Sequence, residues 1–116
     1  DIDAALKAFV DVIDGQSAWA RLPAAAKQQL RDNIFTLRGQ AREDRKPFTR
    51  AQAESIRTPT LFVGGGNTTG SLASVHRVLA QHVANAQTVM IDGARHWMFD
   101  DQPQMFCEAV TKFLAE

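Results

Sequence analysis

The stretch Val89-Met90-Ile91-Asp92-Gly93-Ala94-Arg95-His96-Trp97-Met98 decides how this chain of 116 residues is read. Thr88 to Ile91 is a short apolar run suited to a buried strand, Asp92-Gly93 is a turn signal, and His96 follows directly. Asp101-Gln102-Pro103 then supplies cap and first-turn residues for a last helix. That helix is predicted to bury Met105, Phe106, Ala109, Val110, Phe113 and Leu114. Open α/β sheets place their sites beyond the carboxyl ends of strands. Histidine is the side chain best suited to moving protons near neutral pH. His96 is therefore the candidate general base.

Working back from this stretch, Thr60-Leu61-Phe62-Val63 is a second apolar run, preceded by Pro59 and ended by Gly64-Gly65-Gly66. Between the runs, Ser71 to Val83 is predicted as an amphipathic helix with Leu72, Val75, Leu79 and Val83 on its inner side. Strand, helix, strand makes a βαβ unit, whose strands should be parallel with a right-handed crossover. The Gly64–Gly70 and Gly93–Trp97 loops should then lie side by side on one sheet edge. The expected fold class is α/β, with two parallel strands (about 60–63 and 88–91), flanking helices and a helical N-terminal segment.

Residues 1 to 54 show helical periodicity only. Leu6, Phe9, Val10 and Ile13 form one stripe on a helix that Gly15 would end. Pro23 suits the first turn of a second helix bearing Ala26, Leu30, Ile34 and Leu37, with an end near Gly39. Gln40 to Lys46 reads as a polar loop, and Thr49 as the cap of a short helix over Arg50 to Ser55.

Parallel sheets are buried on both faces, and two strands alone leave long unpaired edges. The missing strands must come from another part of the same protein, a second polypeptide or another copy of this chain. The first residue, Asp1, is not Met, so the chain is expected to be processed, trimmed or cut from something longer. Thirteen basic and thirteen acidic residues give zero formal net charge, which argues against nucleic acid or an anionic membrane surface as partner. No apolar run approaches the length of a membrane span. A single cysteine, Cys107, excludes an internal disulfide framework and fits a cytoplasmic location.

The residues together resemble a known family. Ile56-Arg57-Thr58-Pro59-Thr60-Leu61-Phe62-Val63-Gly64-Gly65-Gly66-Asn67 is similar to the penultimate strand of α/β-hydrolase fold enzymes. Met90 to His96, followed by Asp101-Gln102-Pro103-Gln104-Met105-Phe106, resembles their last strand, histidine loop and final helix. The stretch with Phe9, Asp11, Gly15, Trp19, Leu22 and Pro23 is similar to the cap inserted before that strand. The resemblance implies a division into a cap-like segment, 1–54, and a βαβα part of the hydrolase core, 55–116. It implies the C-terminal half of a serine hydrolase acting on an ester or related bond of a small molecule, with His96 as general base.

The nucleophile, a Ser in a G-x-S-x-G elbow, occurs nowhere in the sequence. The chain alone is therefore expected to be inactive and to associate with the missing N-terminal half or with itself. Many relatives carry the triad Asp in the loop where this chain has Asn67, a candidate orienting residue for His96. Asn accepts a hydrogen bond but brings no charge; in the chymotrypsin-type triad that exchange costs roughly 10⁴-fold in turnover. Either the acid is supplied from elsewhere or the protein is a weak or dead hydrolase. Trp97 and Met98 are candidates for an apolar substrate pocket.

Plainer readings stand for the rest. Gly64-Gly65-Gly66 lacks the spacing of a phosphate loop, and Asp100-Asp101 reads as helix capping. His76 and His82 lie six apart on one helix and read as solvated, with no metal or cofactor expected. Cys107 reads as a packing residue. The rival to a hydrolase is a non-enzymatic oligomerising or ligand-binding domain derived from the same fold.

Overall fold

A computed structural model describes all 116 residues and divides them into two compact units, Asp1–Pro47 and Phe48–Glu116. The first unit is helical throughout. Its helices are α1 (Ile2–Asp14), α2 (Ala18–Arg21), α3 (Ala24–Asp32) and α4 (Ile34–Arg42). Asp1 caps α1 by accepting the Asp3 N–H, and the helix ends at Gly15. Leu6 and Val10 of the expected stripe are wholly buried. Asp11 reaches across to accept the Trp19 N–H at 2.9 Å, satisfying a donor in the first turn of α2. A bidentate pair between Arg31 and Asp3 (2.7 and 2.8 Å) ties α3 to the start of α1.

The helix predicted from Pro23 to about Gly39 is in fact two helices. Asn33 breaks it, with φ −104° and ψ 14°, and its side-chain amide donates to the Gln29 carbonyl at 2.8 Å. This local bond competes with helix continuation. The apolar stripe Ala26, Leu30, Ile34 and Leu37 crosses the break and stays half-buried, which is why periodicity alone misses it. Gly39 does not stop α4, which runs on to Arg42.

The second unit begins earlier than the expected boundary at residue 55, because the short helix α5 (Arg50–Ser55) belongs to it. Thr49 and Gln52 form a full capping box at its start, and Ala53 is buried. Strand β1 (Thr60–Gly65), helix α6 (Gly70–His82) and strand β2 (Ala86–Ile91) follow. The strands pair in parallel, from Thr60 opposite Ala86 to Gly65 opposite Ile91. Helices α7 (Met98–Asp101) and α8 (Pro103–Leu114) complete the chain.

Alternation along the strands gives the sheet two faces. On one, Ile91, Ala94 and Met98 form a buried cluster closed by Val63, Val89, Phe106 and Ala109. On the other, Phe62 meets the His76 ring of α6 edge-on at 5.8 Å, beside Gly64 and Met90. Two positions depart from the predicted helix faces. Met105 and Leu114 are exposed, because the stripe Phe106, Ala109, Val110 and Phe113 is the one turned inward on α8. Val75 is also exposed: the inward stripe of α6 runs through Leu72, His76, Leu79 and Val83.

Candidate functional site

Parallel pairing brings the two loops at the carboxyl ends of β1 and β2 together. Gly93 takes φ +71°, a left-handed conformation that glycine adopts without strain, and turns the chain back over the sheet. The turn closes through Ala94 N–H to the Ile91 carbonyl. The loop after β1 clamps it: Gly66 N–H donates to Ile91 O and Asn67 N–H to Ala94 O, both at 2.8 Å. The Arg95 carbonyl lies so close to Gly65 that a Cβ there would stand 2.0 Å from its oxygen. Glycine at position 65 is thus what lets the histidine loop rest on the end of β1.

His96 follows immediately, half-buried, and its imidazole makes no hydrogen bond to another group of the chain. It borders a cavity of about 680 Å³ formed with Phe62, Thr68, Leu72, His76, Met90 and Met98. Cavities of this size hold small organic ligands. Thr68 Oγ1 and His76 Nε2 are buried polar atoms without a hydrogen-bond partner. His76, read from sequence as solvated, is therefore turned inward. Its spacing from Leu72 (i+4) and Leu79 (i−3) was the signal available. His82 is also partly shielded, with Nδ1 3.5 Å from Glu54 Oε1. Arg50 bonds the same carboxylate at 2.6 Å, and it holds Glu54 below the usual carboxylate range, with His82 contributing.

The other sequence candidates fall as follows. Met98 is buried and lines the cavity, whereas Trp97, half-buried, does not. Asn67 joins the histidine loop through its backbone; its exposed side chain makes no bond to His96. Asp101, read as a helix cap, does something else. Its carboxylate accepts the Arg95 N–H at 2.8 Å and pairs with the Arg95 guanidinium at 3.2 and 3.4 Å. Pro103 opens α8 without a side-chain cap. Cys107 is exposed rather than packed. No three His, Cys, Asp or Glu side chains are grouped to hold a metal, and no helix is long and apolar enough to cross a membrane.

A parallel βαβα unit whose second strand leads to a histidine loop resting on the end of the first has the arrangement of the C-terminal part of an α/β-hydrolase fold, and the comparisons support that fold for this chain. It is 35% identical over 103 residues to the sn-1-specific diacylglycerol lipase ABHD11 of Mus musculus, covering 89% of this chain and 29% of that protein. It is 32% identical over 57 residues to a Haemophilus influenzae protein provisionally classed as an esterase/lipase, covering 49% of this chain and 20% of that protein. The chain thus spans less than a third of the length of these curated relatives. A serine hydrolase involved in carbazole degradation (the CarC enzyme) has the same fold. It superposes with a TM-score of 0.61 at 15% identity, over 99% of this chain and 48% of that one. No protein-family profile matches the chain.

Proposed function

We propose that this chain supplies the general-base histidine of a serine-dependent hydrolase acting on an ester or related bond of a small molecule. The observation that carries the reading is the position of His96. It leaves the carboxyl end of β2, is held against the end of β1, and opens on an apolar cavity. In the reaction, the imidazole takes the proton of a serine hydroxyl as that oxygen attacks the acyl carbon. It then returns the proton to the leaving alcohol, and the same cycle activates water for deacylation. The serine and the oxyanion donors would come from outside these residues, since no G-x-S-x-G is present. The kinship with a protein named as a diacylglycerol lipase supports the ester class of substrate.

The acid that orients His96 is assigned to a group outside this chain, because Asn67 brings no charge and does not bond the ring. Turnover of a p-nitrophenyl ester by the longest natural polypeptide containing these residues, with none by the 116-residue chain alone, is the expected result. Robust turnover by the short chain would overturn the division of labour.

The two-stranded sheet and the exposure of Met90 (48%) favour association of the second unit with further sheet or helix. The missing N-terminal half is the proposed partner, and a self-associating, non-enzymatic domain is the rival. Sedimentation of the chain alone and with that half separates them: a stable homodimer that ignores the half supports the rival.

A further inference from the structure

We propose that Asp101 is a positioning residue for His96, a role that rests on the general-base reading above. The carboxylate lies at the end of α7, the single turn that starts directly after Trp97. That turn folds back so that its last side chain reaches the residue immediately before the histidine. Asp101 Oδ2 accepts the Arg95 N–H at 2.8 Å, while the Arg95 Nη2 and Nε lie 3.2 and 3.4 Å from Oδ1 and Oδ2. On the far side of the histidine, the Trp97 carbonyl accepts the N–H groups of Asp100 and Asp101, both at 3.0 Å. His96 thus sits inside a closed ring of hydrogen bonds that starts at the Arg95 peptide and returns to it through Asp101.

Three contacts now hold the backbone before the histidine. Asn67 N–H fixes the Ala94 carbonyl, the bare Cα of Gly65 receives the Arg95 carbonyl, and Asp101 fixes the Arg95 N–H. The Asn67 and Asp101 bonds hold the two ends of one peptide group, the Ala94 carbonyl and the Arg95 N–H, so removing Asp101 frees one end of the peptide that precedes the histidine. A hydrogen bond to an ionised acceptor is shorter and about twice as strong as a neutral one. With the side chain of Asp101 only 23% exposed, water competes weakly for it. Asp101 touches no reacting atom in this arrangement; it acts through the Ala94–Arg95 peptide, one residue before the histidine, and through the Arg95 side chain.

The test compares Asp101→Ala, Asp101→Asn and His96→Ala in the longest natural polypeptide, by ester hydrolysis. It also compares the two Asp101 variants of the same polypeptide by amide hydrogen exchange. Asp101→Ala should lower kcat about 10²-fold with KM nearly unchanged, the loss expected when a catalytic group is misplaced by about 1 Å. Asp101→Asn keeps an oxygen for the Arg95 N–H and should recover most of kcat. In that polypeptide, Arg95 amide exchange should quicken about ten- to a hundredfold in Asp101→Ala and little in Asp101→Asn. If His96→Ala abolishes turnover while Asp101→Ala leaves kcat and Arg95 exchange unchanged, the positioning role is overturned and the general-base reading stands. If His96→Ala leaves turnover intact, the general-base reading is overturned, and with it any catalytic purpose for Asp101.

Discussion

The two faces of one small sheet behave differently. The face toward α8 is closed: Ile91 (1% exposed), Ala94 and Met98 form a buried cluster packed by Phe106 and Ala109. The face toward α6 is open: Met90 is half exposed, Val75 is exposed, and a cavity of about 680 Å³ reaches His96. The strands alone do not account for this, since Val89 and Met90 are neighbours with opposite fates. The difference lies in what each face meets. α8 turns only apolar side chains inward (Phe106, Ala109, Val110 and Phe113), whereas the inward stripe of α6 is interrupted by His76, whose ring meets Phe62 and stands over Gly64 beside Met90 of β2. The closed face supplies stability, and the open face is where His96 and the cavity it borders lie.

Substitutions on the two faces should carry unequal costs. Ile91→Ala empties the closed face and should cost about 2–5 kcal/mol in denaturant unfolding. Gly65→Ala comes next: its Cβ would meet backbone at the Arg95 carbonyl, so the histidine loop must shift, at about 1–3 kcal/mol. At Gly64, one residue earlier and on the open face, the nearest atoms belong to the flexible Met90 thioether at 3.0 Å. Gly64→Ala should therefore cost less than about 1 kcal/mol. An equal cost at the two glycines would remove the argument that Gly65 is there for the loop. Thr49→Ala removes the capping box of α5 and should cost about 1 kcal/mol wherever the faces stand.

Acid separates the closed face from the ion pairs on the helices α1 and α5. Arg31 holds Asp3, and Lys7 with the Trp19 N–H holds Asp11, below their ordinary range, as Arg50 does Glu54. A carboxyl whose folded pKa is depressed stabilises above its unfolded pKa, about 4, and loses that contribution as pH falls through the folded value. The Ile91 cluster contains no titratable group. Below about pH 4, NMR should therefore show loosening around Asp3, Asp11 and Glu54 before the amides around Ile91 lose protection. Simultaneous loss would show that the closed face depends on those pairs.

Much of this was legible in the sequence because it is local. Pro59 marks the start of β1, which runs two residues into the glycines, the Val89–Ile91 run marks the end of β2, and Thr49 with Gln52 announces α5. His96 could be placed at a strand's carboxyl end for the same reason. What could not be read depends on distant partners. Asp101 before Pro103 has the form of a helix cap, and only the fold brings it to Arg95. The triple glycine reads as a turn until the Arg95 carbonyl is seen against Gly65. Asn33 breaks a helix through its own side-chain bond while the apolar stripe continues across it. Asn67, a turn residue after the glycines and a candidate orienting group for the imidazole, reaches the histidine loop through its backbone.

The most direct test of the catalytic reading is His96→Ala in the longest natural polypeptide that contains these residues, measured as kcat/KM for ester hydrolysis. The general-base role predicts a fall of about 10³-fold or more with the fold intact. Unchanged kcat/KM would contradict it.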